Sequence, residues 1–332
     1  IGPKGGLSLL NHTRVIGGMN PHDLAVSDDG KTLYVPRRAF SQIVSYKIGT
    51  GGFEFGANGT DGTDDYDSCV HRRTRGENSV DTQRWESLKV RGNRLYVSLA
   101  GFGAGVRIYS LLGDGSFQQV GQPDGVKATV CRSNQDGISD YNERRKLGGP
   151  RTFALGEDTL YVQRISQREL LRFGLFPDGP SKGLFMKCSD YPAGAPKPPK
   201  CADASKADKI LPFERTRRTF IYDDLIVENR AILGSVFPRG RIDSFLLAGD
   251  GSLPRGPKQS TSENFVENPV RIRAFNRTLY VPGGDLDRVS AYRLRSDGTL
   301  ANSEPFSQTD KIDGSFPNEA IVQTTTDGCP CP

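Results

Sequence analysis

The chain is expected to be all-β: a β-propeller of four-stranded antiparallel blades, six and possibly seven of them, with the last incomplete or closed by the N-terminal strand. Three observations lead there. An apolar tripeptide recurs as Leu33-Tyr34-Val35, Leu95-Tyr96-Val97, Leu160-Tyr161-Val162, Leu225-Ile226-Val227 and Leu279-Tyr280-Val281. Short apolar runs flank each copy, and a glycine-containing pair closes each repeat. Units of this kind cannot hide both faces alone and do so by standing beside one another.

Each strand follows from local chemistry. The first run of a repeat is Leu24-Ala-Val26, Leu88-Lys-Val90, Phe153-Ala-Leu155, Phe220-Ile-Tyr222 or Ile272-Arg-Ala274. A polar turn such as Ser27-Asp-Asp-Gly30 or Phe275-Asn-Arg277 joins it to the tripeptide, which is a hairpin signature. The third run is Ile43-Val-Ser-Tyr46, Val106-Arg-Ile-Tyr109, Leu170-Leu-Arg-Phe173, Ile242-Asp-Ser-Phe245 or Val289-Ser-Ala-Tyr292. It reaches Gly51-Gly52, Asp114-Gly115, Asp178-Gly179, Asp250-Gly251 or Asp297-Gly298, residues that tolerate the positive φ of a tight turn. A fourth, more polar strand follows, as in Ser116-Phe-Gln-Gln-Val120.

A sixth unit starts at Phe316-Pro-Asn-Glu-Ala-Ile-Val322, and Leu7-Ser-Leu-Leu-Asn-His-Thr-Arg-Val15 is the strand expected to complete it. The whole of 1–332 reads as one propeller domain. Long inserts at about 54–83, 121–148, 181–214 and 254–267 are expected between consecutive blades, as loops on one rim.

Composition agrees with many short strands. Of 332 residues 39 are Gly and 21 Pro, and hydrophobic residues make up 35%. No run of 18 apolar residues occurs, so no membrane span is expected. The chain begins at Ile1 without Met or a signal-like segment and reads as a mature or trimmed product. Six cysteines without a CxxC pair, beside three histidines, point away from zinc and toward disulfides in an oxidising compartment. Cys188 with Cys201 would close a Pro-rich loop, and Cys69 with Cys131 is the next pairing. Cys329 and Cys331 flank one Pro and are expected to pair elsewhere. Sequons at Asn11, Asn58 and Asn276 support a secreted glycoprotein, Asn276 best because it sits in a tight turn.

Net charge is +5, with short basic clusters at Arg72-Arg73-Thr-Arg75, Arg144-Arg145-Lys146 and Arg215-Thr-Arg217-Arg218. These read as solvated loops or as contacts to an acidic glycan. The regular tyrosines read as core and not as a nucleic-acid stacking platform.

The phrases Pro21-His-Asp-Leu-Ala-Val-Ser-Asp-Asp-Gly-Lys-Thr-Leu-Tyr-Val35 and Val-Ser-Ala-Tyr-Arg-Leu-Arg-Ser-Asp-Gly-Thr-Leu300 resemble the lactonase-type propeller superfamily, which includes 6-phosphogluconolactonase-like enzymes and YVTN-repeat surface proteins. The resemblance spans most of 20–325 and implies the fold. The family's usual seven blades are not evident here, and the cysteine-bearing inserts depart from it. No catalytic residue is carried over.

Aligning the repeats places His22, Glu86, Arg151, Arg218, Val270 and Asn318 at one position, the start of each innermost strand. The next position holds Asp23, Ser87, Thr152, Thr219, Arg271 and Glu319. A central funnel lined by His22, Glu86, Arg151, Arg218, Arg271 and Glu319 would suit a carboxylate or phosphate, with His or Glu as acid or base. The alternative is an Arg–Glu network that only holds the blades. A second constellation, Asn134, Asp136, Asp140 and Glu143 around Gly137, resembles a calcium loop, with Arg132 where an anionic ligand normally stands. It reads as a Ca2+ site or as a self-capped Asp-Gly turn.

Two functions follow. One is an extracellular binding or assembly scaffold, whose unfinished blade takes another chain or builds a filament or surface structure. The other is a lactonase-like hydrolase or cycloisomerase acting on an anionic sugar acid or lactone in the funnel.

Overall fold

The computed structural model describes residues 23–37, 42–49, 52–53, 69–70, 84–100, 105–113, 115, 117–119, 138–139, 152–164, 169–179, 182–185, 208–210, 221–237, 240–249, 251–252, 257–262, 271–283 and 288–309. Every regular element among them is a strand, and no helix is long and apolar enough to cross a membrane. They fall into two compact units, 23–139 and 152–309.

The first unit holds two antiparallel sheets. Sheet one contains β1 (Ala25–Val26), β2 (Thr32–Arg37), β3 (Gln42–Gly49), β4 (Gly52–Phe53) and β5 (Cys69–Val70), with both β4 and β5 on β3. Sheet two contains β6 (Arg84–Arg91), β7 (Arg94–Ala100), β8 (Gly105–Leu111), β9 (Phe117–Gln119) and β10 (Ile138–Ser139), with both β9 and β10 on β8.

The second unit holds three meanders. Sheet three is β11 (Phe153–Leu155), β12 (Thr159–Arg164), β13 (Glu169–Gly174) and β14 (Asp208–Ile210). Sheet four is β15 (Ile221–Glu228), β16 (Ala231–Phe237), β17 (Arg241–Leu246) and β18 (Gln259–Ser260). Sheet five is β19 (Arg273–Phe275), β20 (Thr278–Gly283), β21 (Arg288–Arg293) and β22 (Ser307–Gln308). The sixth unit lies outside the described residues.

Two expectations are corrected. The inserts do not simply connect one sheet to the next. In sheets one and two the outer strand comes in two pieces, β4 with β5 and β9 with β10, on either side of 54–68 and 120–137. In sheet three, a bridge between Leu175 and Phe185 precedes 186–207, and β14 completes the edge beyond it. The third strand is long enough to pair with both pieces.

The second correction concerns sheet four. Leu225-Ile226-Val227 lies on the first strand, where Leu225, Ile226 and Val227 pair with Gly234, Leu233 and Ile232 of β16. The second strand is therefore Ile232-Leu233-Gly234, and the turn between them is Asn229-Arg230, with Asn229 at φ 50. Asn276 and Arg277, at φ 46 and 60, make the corresponding turn of sheet five.

Side-chain alternation buries both faces of these sheets. Ala25, Tyr34 and Ile43 of sheet one pack against Leu88, Leu95, Val97, Tyr109 and Phe117 of sheet two. Ala154, Tyr161 and Leu170 meet Tyr222, Leu225, Ile232 and Phe245, while Leu233 and Ile242 meet Ile272, Leu279, Val281 and Tyr292. Burying one such side chain contributes roughly 1.5–3 kcal/mol.

Candidate functional site

Turn chemistry aligns neighbouring sheets. The Tyr34 hydroxyl donates to the Gly115 carbonyl at 3.0 Å, and Tyr161 donates to Gly251 at 2.7 Å. In each case the tripeptide tyrosine of one sheet holds the Asp-Gly turn of the next. Sheet four lacks that tyrosine. There the Arg230 amide donates to the Asp297 carbonyl at 3.2 Å.

At the opposite strand ends the inner strands are joined by carboxylates. Asp23 Oδ1 accepts from its own following amide, Leu24 N, at 2.9 Å. Its Oδ2 accepts from Ser87 Oγ at 2.6 Å and Leu88 N at 2.8 Å in sheet two. Asp224 repeats the design in the other unit. Its Oδ1 accepts from Leu225 N at 2.9 Å and Thr152 Oγ1 at 3.2 Å, and its Oδ2 from Ile272 N at 3.1 Å and Arg273 at 3.0 Å. Asp23, Ser87, Thr152 and Asp224 are each at most 1% exposed. A buried carboxylate with this many donors is stable where an unpaired one is not.

The sheet-four register decides which residues are equivalent. Since Leu88 faces Val97 and Leu225 faces Gly234, Asp224 stands where Ser87 does and Asp223 where Glu86 does. The repeat alignment had placed Thr219 and Arg218 at those positions. The pairing registers shift between Trp85 and Ser87 and again between Tyr222 and Asp224. Glu86 and Asp223 are thus the extra residues of matching bulges, features that re-aim side chains and recur beside sites. Gly234 makes room for the second bulge, because a Cβ there would stand 2.6 Å from the Tyr222 ring. The missed signal was the Asn-Arg dipeptide, which marks the same turn in sheets four and five.

Arg271 is 1% exposed and does not line an open wall. Its Nη1 donates to the Asp223 carbonyl and lies 4.0 Å from Asp224. It belongs to the network that holds sheets four and five. Glu86 lies on β6, and its side chain is outside the described residues, as are His22, Arg151, Arg218 and Glu319. So are Asn134, Asp136, Asp140 and Glu143, although β10 runs between Asp136 and Asp140. Cys69 begins β5, its side chain not described, and Cys131, Cys188 and Cys201 lie outside the described residues. Asn276 is exposed at its turn, whereas Asn11 and Asn58 are not described.

A second feature of the first unit is a groove of ≈ 590 Å³ at the turn ends of sheets one and two, lined in part by Asp28, Lys31, Tyr34, Lys47 and Asn93. Asp28 Oδ2 accepts from Gly92 N across it at 2.6 Å.

The structure is similar to that of a protein from Lactobacillus plantarum, with a TM-score of 0.52 and 11% identity over 90% of this chain and 86% of that one. The likeness is one of fold. It agrees with the propeller fold expected from the repeats, and the antiparallel sheets are its blades. Also similar are a putative 6-phosphogluconolactonase of Bacteroides fragilis, with a TM-score of 0.49 and 14% identity over 96% and 78% of the two chains, and a periplasmic gluconolactonase of Pseudomonas aeruginosa, with 0.48 and 13% over 87% and 85%. No family model matches the chain, and no curated protein does.

Proposed function

We propose that the protein is a lactonase-like hydrolase of sugar-acid lactones, with its chemistry at the bulged starts of the inner strands. The observation that carries this is a bulge at the start of the inner strand in each unit, at Glu86 in the first and at Asp223 in the second, each one residue before a buried hydrogen bond to the neighbouring sheet of its own unit. In the second unit Arg151 precedes Thr152, whose hydroxyl reaches Asp224, the neighbour of Asp223. In the first unit His22 precedes Asp23, which is bonded to Ser87, the neighbour of Glu86. Within each unit an acidic residue and a basic or imidazole residue thus stand one position before fixed points of the scaffold, His22 with Glu86 in the first and Arg151 with Asp223 in the second, the residue types that general acid–base hydrolysis of a lactone uses.

A carboxylate takes a proton from water, and the hydroxide oxygen attacks the lactone carbonyl. The ring C–O bond breaks, and the released alkoxide recovers the proton. Arg151 suits the anionic end of such a substrate.

The test is acid release from glucono-1,5-lactone, its 6-phosphate and a galactono-lactone, followed by pH-stat. Acceleration well above spontaneous hydrolysis is expected for at least one of them. No acceleration with any would overturn the reading.

A further inference from the structure

The bulge at Asp223 is held from the neighbouring blade. The ladder of blade four passes from the Tyr222–Val236 pair to the Asp224–Ser235 pair, so Asp223 has no residue opposite it. Side chains take up the backbone there. Ser235 Oγ accepts from the Asp224 amide at 2.9 Å, and the Asp223 carbonyl accepts from Arg271 Nη1. Arg271 comes two residues before β19 of blade five, and its side chain is enclosed. A guanidinium is stable in such a place when it has both acceptors and an opposite charge.

Two cations of blade five meet two acidic residues of blade four. Arg273 makes the close ion pair, 3.0 Å from Asp224 Oδ2. Arg271 stands farther from that carboxylate, at 4.0 Å, and directs a hydrogen bond to the residue before it. A carboxyl lies at most about 5 Å from the carbonyl oxygen of its own residue, so the Arg271 guanidinium is within about 8 Å of the Asp223 carboxyl. Burial weakens screening at that range, and the cation favours the ionised carboxylate. Burial itself and the like charge of Asp224 act the other way. The other titratable groups on the strands packed here are Tyr222 and, at the far end, Glu228 on β15, and Arg273 on β19; β11 and β16 carry none. In the chain, Arg151 precedes β11 by two residues.

We propose that Arg271 is a positioning residue for the chemistry at Asp223: from blade five it fixes the bulge backbone and keeps the Asp223 carboxyl ionised, able to take a proton from water. The assignment rests on the lactonase-like reading for the reaction it serves. What Arg271 does to the carboxyl rests on the contact between the two residues. Glutamine at 271 keeps a donor for the Asp223 carbonyl and loses the charge, whereas lysine keeps the charge and loses the fork. The two variants therefore separate electrostatic support from the hydrogen bond.

The test is carbon-13 titration of the full chain labelled at the aspartate carboxyls, with the Asp223 signal assigned by its loss in Asp223→Asn. In the wild type Asp223 should be ionised at pH 6. Arg271→Gln should raise its pKa by about one unit or more, a tenfold gain in proton affinity, and Arg271→Lys by much less. If Arg271→Gln does not fold, the wild-type carboxyl decides: ionised at pH 6 supports the proposal, and protonated overturns it. An unchanged Asp223 pKa in a folded Arg271→Gln also overturns it. In the lactone assay the acid limb of the kcat profile should move up with the carboxyl in Arg271→Gln, KM staying within about twofold, and turnover should recover at higher pH. A carboxyl shift in a wild-type chain without turnover would sink the lactonase-like reading and leave the Arg271–Asp223 coupling standing; turnover without a carboxyl shift would do the reverse.

Discussion

Ser87 Oγ stands 2.6 Å from Asp23 Oδ2, a buried hydrogen bond that ties the first strand of blade two to the first strand of blade one. Asp23 also accepts the Leu88 amide, so one carboxylate fixes both a side chain and a backbone group of its neighbour. Asp23→Ala would leave the Ser87 hydroxyl and the Leu88 amide buried without acceptors. A loss of about 3–4 kcal/mol is expected in urea unfolding, against about 1 kcal/mol for Ser87→Ala. Equal small effects would mean that water replaces the carboxylate.

The turn glycines make a sharper comparison. Gly298 has φ +85, and a Cβ on it would overlap the Glu228 carbonyl oxygen of blade four. Gly179 has φ +70, with nothing within 4 Å of a Cβ. Gly298→Ala should destabilise by about 4 kcal/mol and Gly179→Ala by about 1 kcal/mol, the strain of positive φ alone. Thermal melts of the two variants check both the turn conformation and the blade contact.

Asp297 links stability to acid. The Lys258 ammonium at 2.7 Å and the Thr299 hydroxyl and amide hold its carboxyl well below the usual carboxylate range. A depressed folded-state pKa contributes stability above the unfolded value, near 4, and loses it as pH falls toward the folded one. Asp297→Ala should therefore cost about 1 kcal/mol at pH 7, since the ion pair is partly exposed, and progressively less as pH falls below about 4. A constant difference across pH 2–7 would contradict the assignment.

Alkaline titration reads the core tyrosines. Burial pushes Tyr96 up to about 12 and Tyr292 higher still. Tyr222 is raised by burial and by the Asp243 carboxylate that it donates to. These groups favour the neutral form when folded, so stability is present below about pH 10 and lost as pH rises above it. Absorbance at 295 nm should show these tyrosines ionising only with unfolding. Smooth titration of all 11 near pH 10 would contradict the packing.

Much of the architecture was legible because the chemistry is local. The hairpins around Tyr34, Tyr96, Tyr161 and Tyr280 follow from alternation and turn residues a few positions apart. Blade four misled because Leu225-Ile226-Val227 has the right apolarity on the wrong strand. Its true counterpart, Ile232-Leu233-Gly234, gives up the tyrosine, and Gly234 leaves room for the Tyr222 ring. The bulge at Asp223 then changes which residues share a face. The split outer strands were hidden by the length of polar chain between their halves. The roles of Asp23 and Arg271 depend on what the neighbouring blade brings, and no spacing within one repeat reports that.

Two adjacent carboxylates separate chemistry from scaffold, and comparing Asp223→Asn with Asp224→Asn in the lactone assay, each with its melting curve, tests the central claim most directly. Asp223 is 3% exposed, so Asp223→Asn should lower the midpoint somewhat but lower kcat/KM by about 100-fold or more at temperatures where the variant is folded, whereas Asp224→Asn should lower the midpoint by about 10 °C through its lost acceptors and keep its turnover where folded. Unchanged turnover in Asp223→Asn, or a loss explained entirely by unfolding, would contradict the placement of catalysis at the inner-strand bulges.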